Sequence, residues 1–163
     1  MVHEIALEFA GDVSYHWPKS ETVMIISFAW TTPAVVLGEK CETRRDWKPS
    51  TIAAVWRAME KGELVDAYSK SSRFGGKAFG KVRILKLVEE EDSRTIKSPS
   101  WRAEGFHVLQ AIGAKISKST AADVWRFWLE ENDQTQTVVH FELVELNAYG
   151  EELKLEAAHA LEA

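Results

Sequence analysis

Apolar and polar positions alternate along this chain with two different periods, and the changes of period divide it into elements. The run Thr22–Trp30 (TVMIISFAW) is continuously apolar and β-branched, which predicts a buried strand. TTPAVVLG follows, with Thr32 as a cap-type residue, Pro33 suited to the first helical turn and Gly38 as a stop, so a short helix is expected. KCETRRDW carries no helical stripe and reads as a turn into a short strand. From Pro49 to Lys61, Ile52, Val55, Trp56 and Met59 fall on one stripe, predicting a helix closed by Gly62 with Trp56 in the core.

Glu63–Ser69 and Ala78–Val88 alternate with period two, and Gly75-Gly76 between them is a hairpin signal. In the second run Val82, Ile84, Leu85 and Leu87 compete for the core face. Ser98-Pro99-Ser100 predicts the start of a helix that carries Trp101, Phe106, Val108, Leu109 and Ile112 and ends at Gly113. Thr120-x-x-Asp123 has the form of a capping box ahead of Val124, Trp125, Trp128 and Leu129. Thr135–Leu146 is the last expected strand, and the chain from Gly150 onward favours helix. Strands and helices mix without βαβ alternation, so the expected class is α+β. The expected organisation is an extension over 1–20, one domain over 21–147 and a helical tail over 148–163.

Composition narrows the picture. In 163 residues, 45% hydrophobic and 28% charged is an ordinary globular mixture. A single cysteine, Cys41, precludes an intramolecular disulfide and suits a reducing compartment. The acids Glu4, Glu8 and Asp12 are unlike a secretory signal, and no apolar stretch approaches the ~20 residues that cross a bilayer. A cytoplasmic protein with no membrane partner is expected.

The net charge of −5 (20 Lys+Arg, 25 Asp+Glu) argues against long duplex DNA, whose non-specific binding depends on neutralising many phosphates. Cations nonetheless gather between Lys40 and Lys86, while acids gather at Glu89–Asp92, Glu130–Asp133 and Glu142–Glu162. Such a locally basic face favours a short strand or a single nucleotide. The five histidines are scattered without metal spacing, so neither a metal nor another cofactor is expected.

The segment Gly38–Trp47 (GEKCETRRDW) resembles the Gly-x-Lys-x-x-Thr-x-Arg signature of the ASCH family, a branch of the PUA-like β-barrels. SFAWTTPAVVLGEK before it, WRAEGF after it and a final strand fall in the family's order, so the resemblance spans about Ile25 to Leu146. It implies a small barrel of about five to six mixed strands flanked by short helices, with a cleft for RNA or a modified nucleoside. Some bacterial members are amidohydrolases that remove an acyl group from the exocyclic amine of cytidine, and another is described as a ribonuclease. The amidohydrolases work with a Lys, a Thr three positions later and a distant Glu, which fall here on Lys40, Thr43 and Glu104. This chain is longer than those small enzymes, and Cys41 stands where a Thr is common.

The chemistry is coherent with those residue types. Thr43 would supply a hydroxyl nucleophile, Lys40 a base once burial or the neighbouring Arg44 and Arg45 lower its pKa, and Glu104 would orient Lys40 or pass the proton on. On a flat strand, positions 40 and 43 face opposite ways, so a turn near Gly38 is required. Arg44, Arg45 and Arg73 are candidates for binding an anion, and Trp30 and Tyr68 for lining the substrate. Trp47 and Phe74 are further candidates to stack a base, whereas Trp125 and Trp128 are expected in the core. The rival reading is a non-catalytic reader of RNA or modified bases, or a ribonuclease, using the same cleft. A third is a protein-interaction module.

Overall fold

The computed structural model describes residues 24–90, 99–131 and 136–163. The expected N-terminal extension lies outside them, as do Thr22, Ser98 and Thr135. Five strands form one mixed sheet: β1 (Ile25–Ser27), β2 (Glu42–Arg45), β3 (Val65–Tyr68), β4 (Ala78–Glu90) and β7 (Gln136–Leu146). Their order is β1-β3-β4-β7-β2, with β1 parallel to β3 and all other neighbours antiparallel. A separate two-stranded hairpin, β5 (Lys115–Ile116) and β6 (Ser119–Thr120), has no counterpart in the hydrophobic pattern.

The sheet curls into a half-barrel around Ile26, Phe28, Val65, Ala67, Phe79, Val82, Ile84, Val139 and Phe141, all buried. Burying a side chain of this size contributes about 1.5–3 kcal/mol. Bulges settle the contest of apolar residues in β4. The register slips between Ile84 and Lys86, so Ile84 faces Phe141, Lys86 faces His140 and Leu85 is turned out, 54% exposed. A bulge of this kind raises local twist and helps the sheet to bend.

Among the described residues six helices surround the sheet: α1 (Thr32–Val36), α2 (Pro49–Glu60), α3 (Pro99–Ala103), α4 (Phe106–Ala111), α5 (Ala121–Glu131) and α6 (Ala148–Glu162). Helix α1 follows a 3-10 turn, Ala29–Thr31, and carries the chain from edge strand β1 to edge strand β2. In α2 the buried positions are Ala53, Val55 and Ala58, and Trp56 is 43% exposed. Trp56 therefore departs from expectation: the neighbouring Val55 and the smaller Ala53 and Ala58 are buried instead, and the indole is left partly exposed. Tyr149, Leu153 and Ala157, spaced four apart, lay α6 on the core. Asn147 caps it, accepting from Gly150 N at 2.9 Å and donating to Ala78 O at 2.7 Å. A Cβ on Gly150 would sit 2.0 Å from Phe79 O, so only glycine permits that approach.

The single helix expected up to Gly113 is two helices. Gly105, at φ 84°, breaks it between α3 and α4. Beyond the break Phe106 enters a second apolar cluster with Leu109 and Ala121, against which Trp30, Trp101, Trp125 and Trp128 pack.

Candidate functional site

Two tight turns meet to build the site. Helix α1 stops at Gly38 (φ 73°), and the turn is closed by bonds from both Glu39 N and Lys40 N to Ala34 O. Opposite it lies the α3–α4 break, where a Cβ on Gly105 would meet Ala34 Cβ at 2.4 Å and Lys40 Cβ at 3.2 Å. The turns are fastened by Cys41 N bonding to Ala103 O at 2.9 Å, and Cys41 O in turn accepts from Phe141 N of β7. This contact delivers Glu104 onto Lys40 although 64 positions separate them.

Lys40, Thr43 and Glu104 are all buried, at 3%, 4% and 1% exposure. Lys40 Nζ lies 2.6 Å from Glu104 Oε2 and also donates to Glu104 O at 2.9 Å. The second carboxylate oxygen, Oε1, accepts from Arg44 Nη1 at 2.9 Å. That same Nη1 forms an ion pair with Glu42 Oε1 at 2.6 Å. Arg44 Nη2 reaches Ser100 Oγ at 3.3 Å, tying β2 to α3. Burial pushes the Lys40 ammonium below the ordinary lysine range, with the Glu104 carboxylate opposing that shift.

Strand β2 sorts its side chains by alternation. Thr43 pairs with Val139, a core residue, so Thr43 and Arg45 face the barrel interior while Glu42 and Arg44 face the other way. Arg45 Nε donates to Thr43 Oγ1 at 3.3 Å, Nη2 donates to Ser27 O at 2.5 Å, and the guanidinium lies 5.7 Å from the Phe28 ring centroid. Ser27 is on β1, the opposite edge of the sheet, so Arg45 spans the seam that the curled sheet leaves open. Thr43 Oγ1 takes its bond from Arg45, and Lys40 Nζ is engaged by Glu104 rather than by Thr43.

The other sequence candidates stand apart from this network. Trp30 is half-buried against Phe106, with ring centroids 5.5 Å apart. Tyr68 ends β3 half-buried, and Arg73 is exposed on the 3-10 turn Ser72–Phe74. Among the described residues no hydrogen bond or ion pair links Trp30, Tyr68 or Arg73 to Lys40, Thr43 or Glu104. Phe74, 77% exposed, projects from the same turn, while Trp47 packs against the core. A cleft of about 380 Å3, mostly apolar, lies between α1, Ser69 and α6, and its walls include Thr32, Ile112, Leu153 and Glu156 but no member of the Lys40 cluster.

Glu42, Ser100, Phe28 and the Ser27 carbonyl join this network and were not among the candidates read from the sequence. Glu42 was legible in principle, since it lies two before Arg44 and so shares its face. Ser27 enters through a backbone oxygen, for which a sequence carries no signal. Among the described residues no group of histidine, cysteine and carboxylate side chains is arranged to hold a metal ion, and no helix is long and apolar enough to cross a membrane.

No family model matches the chain, and no curated protein matches it in sequence. Among solved structures it is similar to protein EF3133 from Enterococcus faecalis V583, described with the family-model DUF984, at a TM-score of 0.43 and 14% identity over 91% of this chain and 97% of that one. A likeness at that level carries no function across.

Proposed function

We propose that the protein is a nucleoside- or RNA-directed hydrolase of the ASCH type that removes an acyl group from the exocyclic amine of cytidine. The observation that supports this reading is the buried Lys40–Glu104 pair, 2.6 Å apart, on the same signature segment as a buried Thr43. A lysine is a poor base in water because it is protonated at neutral pH; burial shifts Lys40 in the direction a base requires. Glu104 fixes the ammonium and takes up its charge when Lys40 holds a proton. Arg45, donating to Thr43 Oγ1, leaves the hydroxyl hydrogen free to be removed and stabilises the oxygen as negative charge develops on it. Neutral Lys40 would take the Thr43 hydroxyl proton as Oγ1 attacks the acyl carbon and pass it to the departing amine, releasing cytidine, and water would then hydrolyse the acyl-threonine to the free carboxylic acid and restore the hydroxyl.

The near-complete burial of these three side chains favours a second reading, in which the ion network is structural and the protein binds a nucleoside or RNA without turning it over. Hydrolysis of acetylcytidine, followed by ultraviolet absorbance, separates the two. Under the hydrolase reading the wild type turns over, and Lys40→Ala and Thr43→Ala each lower kcat by at least about 100-fold. Absence of turnover in well-folded wild-type protein would sink it.

A further inference from the structure

The cleft between α1, Ser69 and α6 lies outside the Lys40 network, and its polar atoms are mainly hydrogen-bond acceptors. It opens where the two apolar clusters meet: Leu153 and Ala157 on one wall belong with the half-barrel core, and Ile112 on another packs with the tryptophan cluster. Its volume of about 380 Å3 is that of a small-molecule site. Thr32 Oγ1 donates to Ala29 O at 2.6 Å, and a hydroxyl has one hydrogen, so only its lone pairs remain. Ser69 O, 3.5 Å from the same Oγ1, loses that hydrogen to the nearer acceptor, and no backbone N–H among the described residues donates to it. The remaining hydroxyl, Ser69 Oγ, is paired with Tyr149 at 3.3 Å. Glu156 adds a charge. It stands three positions after Leu153 and four before Ala160, on the stripe of α6 that borders the cleft, and has no ion-pair partner among the described residues. Ala29, on the same wall as Thr32, is held at φ 47°, a left-handed conformation that costs a non-glycine residue free energy and recurs where ligands are clamped.

We infer that this cleft binds a small organic amine, its apolar body seated against Pro33, Ile112 and Leu153 and its protonated amino group held by Glu156 and Ser69 O. An ammonium is a donor with no acceptor, which matches a rim that offers carboxylate, carbonyl and hydroxyl lone pairs. An anion of the same shape would face Glu156 at close range, and a neutral alcohol would leave that carboxylate without a counter-charge. The apolar walls select against a bare polar cation, which would leave them in contact with water. Enclosure by α1, the end of β3 and α6 suits a small molecule rather than a polymer strand. Lys40, Thr43 and Glu104 line no part of the cleft, so its occupancy is independent of the hydrolase reading.

Titration of the full chain with phenethylamine, 2-phenylethanol and phenylacetate at neutral pH, followed by amide chemical shifts in nuclear magnetic resonance, tests this. The three probes share one ring and differ in the charge of the head group. In wild type the amides of Ser69, Ile112 and Leu153 are expected to shift and saturate with the amine. It should bind at least about threefold more tightly than the alcohol, the scale of an exposed charge pair. Phenylacetate should bind more weakly than the alcohol, and added sodium chloride should narrow both gaps. Glu156→Gln, at an exposed position, should bind amine and alcohol alike. Ala160→Phe, near the end of α6, puts a ring into the cleft and should abolish the shifts at all three amides. Where Ala160→Phe does not fold, Glu156→Gln still decides. Shifts confined to residues away from the cleft, equal affinity for amine and alcohol in wild type, or a preference that survives in Glu156→Gln overturns the inference.

Discussion

Glu104 holds two cations at once, and its removal would leave both Lys40 and Arg44 buried beside a missing charge. Glu104→Gln keeps the shape and some hydrogen bonds but not the charge. It is expected to lower unfolding free energy by about 3–5 kcal/mol, read from urea denaturation at neutral pH. Lys40 also gives a pH signature. Its folded pKa lies below the ordinary lysine value of about 10.4, so between the two values the unfolded chain binds the extra proton. Stability must therefore rise with pH across that window. Denaturation of wild type should show this increment as pH is raised towards 10, and Lys40→Met should lack it. A wild-type curve no steeper than that of Lys40→Met would contradict the lowered value.

At the scale of elements, the decisive feature is an interruption. The apolar pattern from Trp101 to Ile112 is compatible with one continuous helix, and a single glycine at φ 84° converts it into two with Glu104 at the bend. Gly105→Ala is expected to be among the most destabilising small substitutions in the chain. It adds backbone strain of about 1–3 kcal/mol to a Cβ placed 2.4 Å from Ala34 Cβ. It should also release Lys40 from Glu104, so loss of turnover and a lower urea midpoint with an unchanged slope are expected together. Other elements were legible because their cause is local. The Thr120–Asp123 box forms as read, with Asp123 N bonded to Thr120 Oγ1 at 3.1 Å and Thr120 Oγ1 to Asp123 Oδ2 at 2.8 Å. Thr120→Ala should fray the first turn of α5, seen as faster amide exchange at its N-terminus. The β4 bulges were not legible, since a slipped register depends on the partner strand.

For the whole molecule, no backbone pairing among the described residues joins β1 to β2, and side chains and helices cover the gap between them. Helix α6 covers core residues through Tyr149, Leu153 and Ala157, so it belongs to the packed unit that the half-barrel forms. Leu153→Asp would place a charge against that core and is expected to destabilise by several kcal/mol, on the order of a buried unpaired polar group, with a cooperative melt at lower temperature. A non-cooperative melt, or none of this loss, would mean that α6 is dispensable to the core.

The sequence by itself determined what depends on neighbours along the chain: the α+β class, the positions of most strands and helices, the caps, and the signature segment holding Lys40, Thr43, Arg44 and Arg45. Glu104 could be named from sequence only through a family resemblance. Its approach to within 2.6 Å of Lys40 depends on a glycine break and a turn-to-turn contact across 64 positions. Tertiary structure alone also decided which way β2 turns its residues, so that Arg44 joins Glu104 while Arg45 faces Phe28 and Ser27. The physical reason is common to these cases. Local propensity fixes where an element runs, whereas which charges share a low-dielectric space is set by register and close packing between elements remote in sequence.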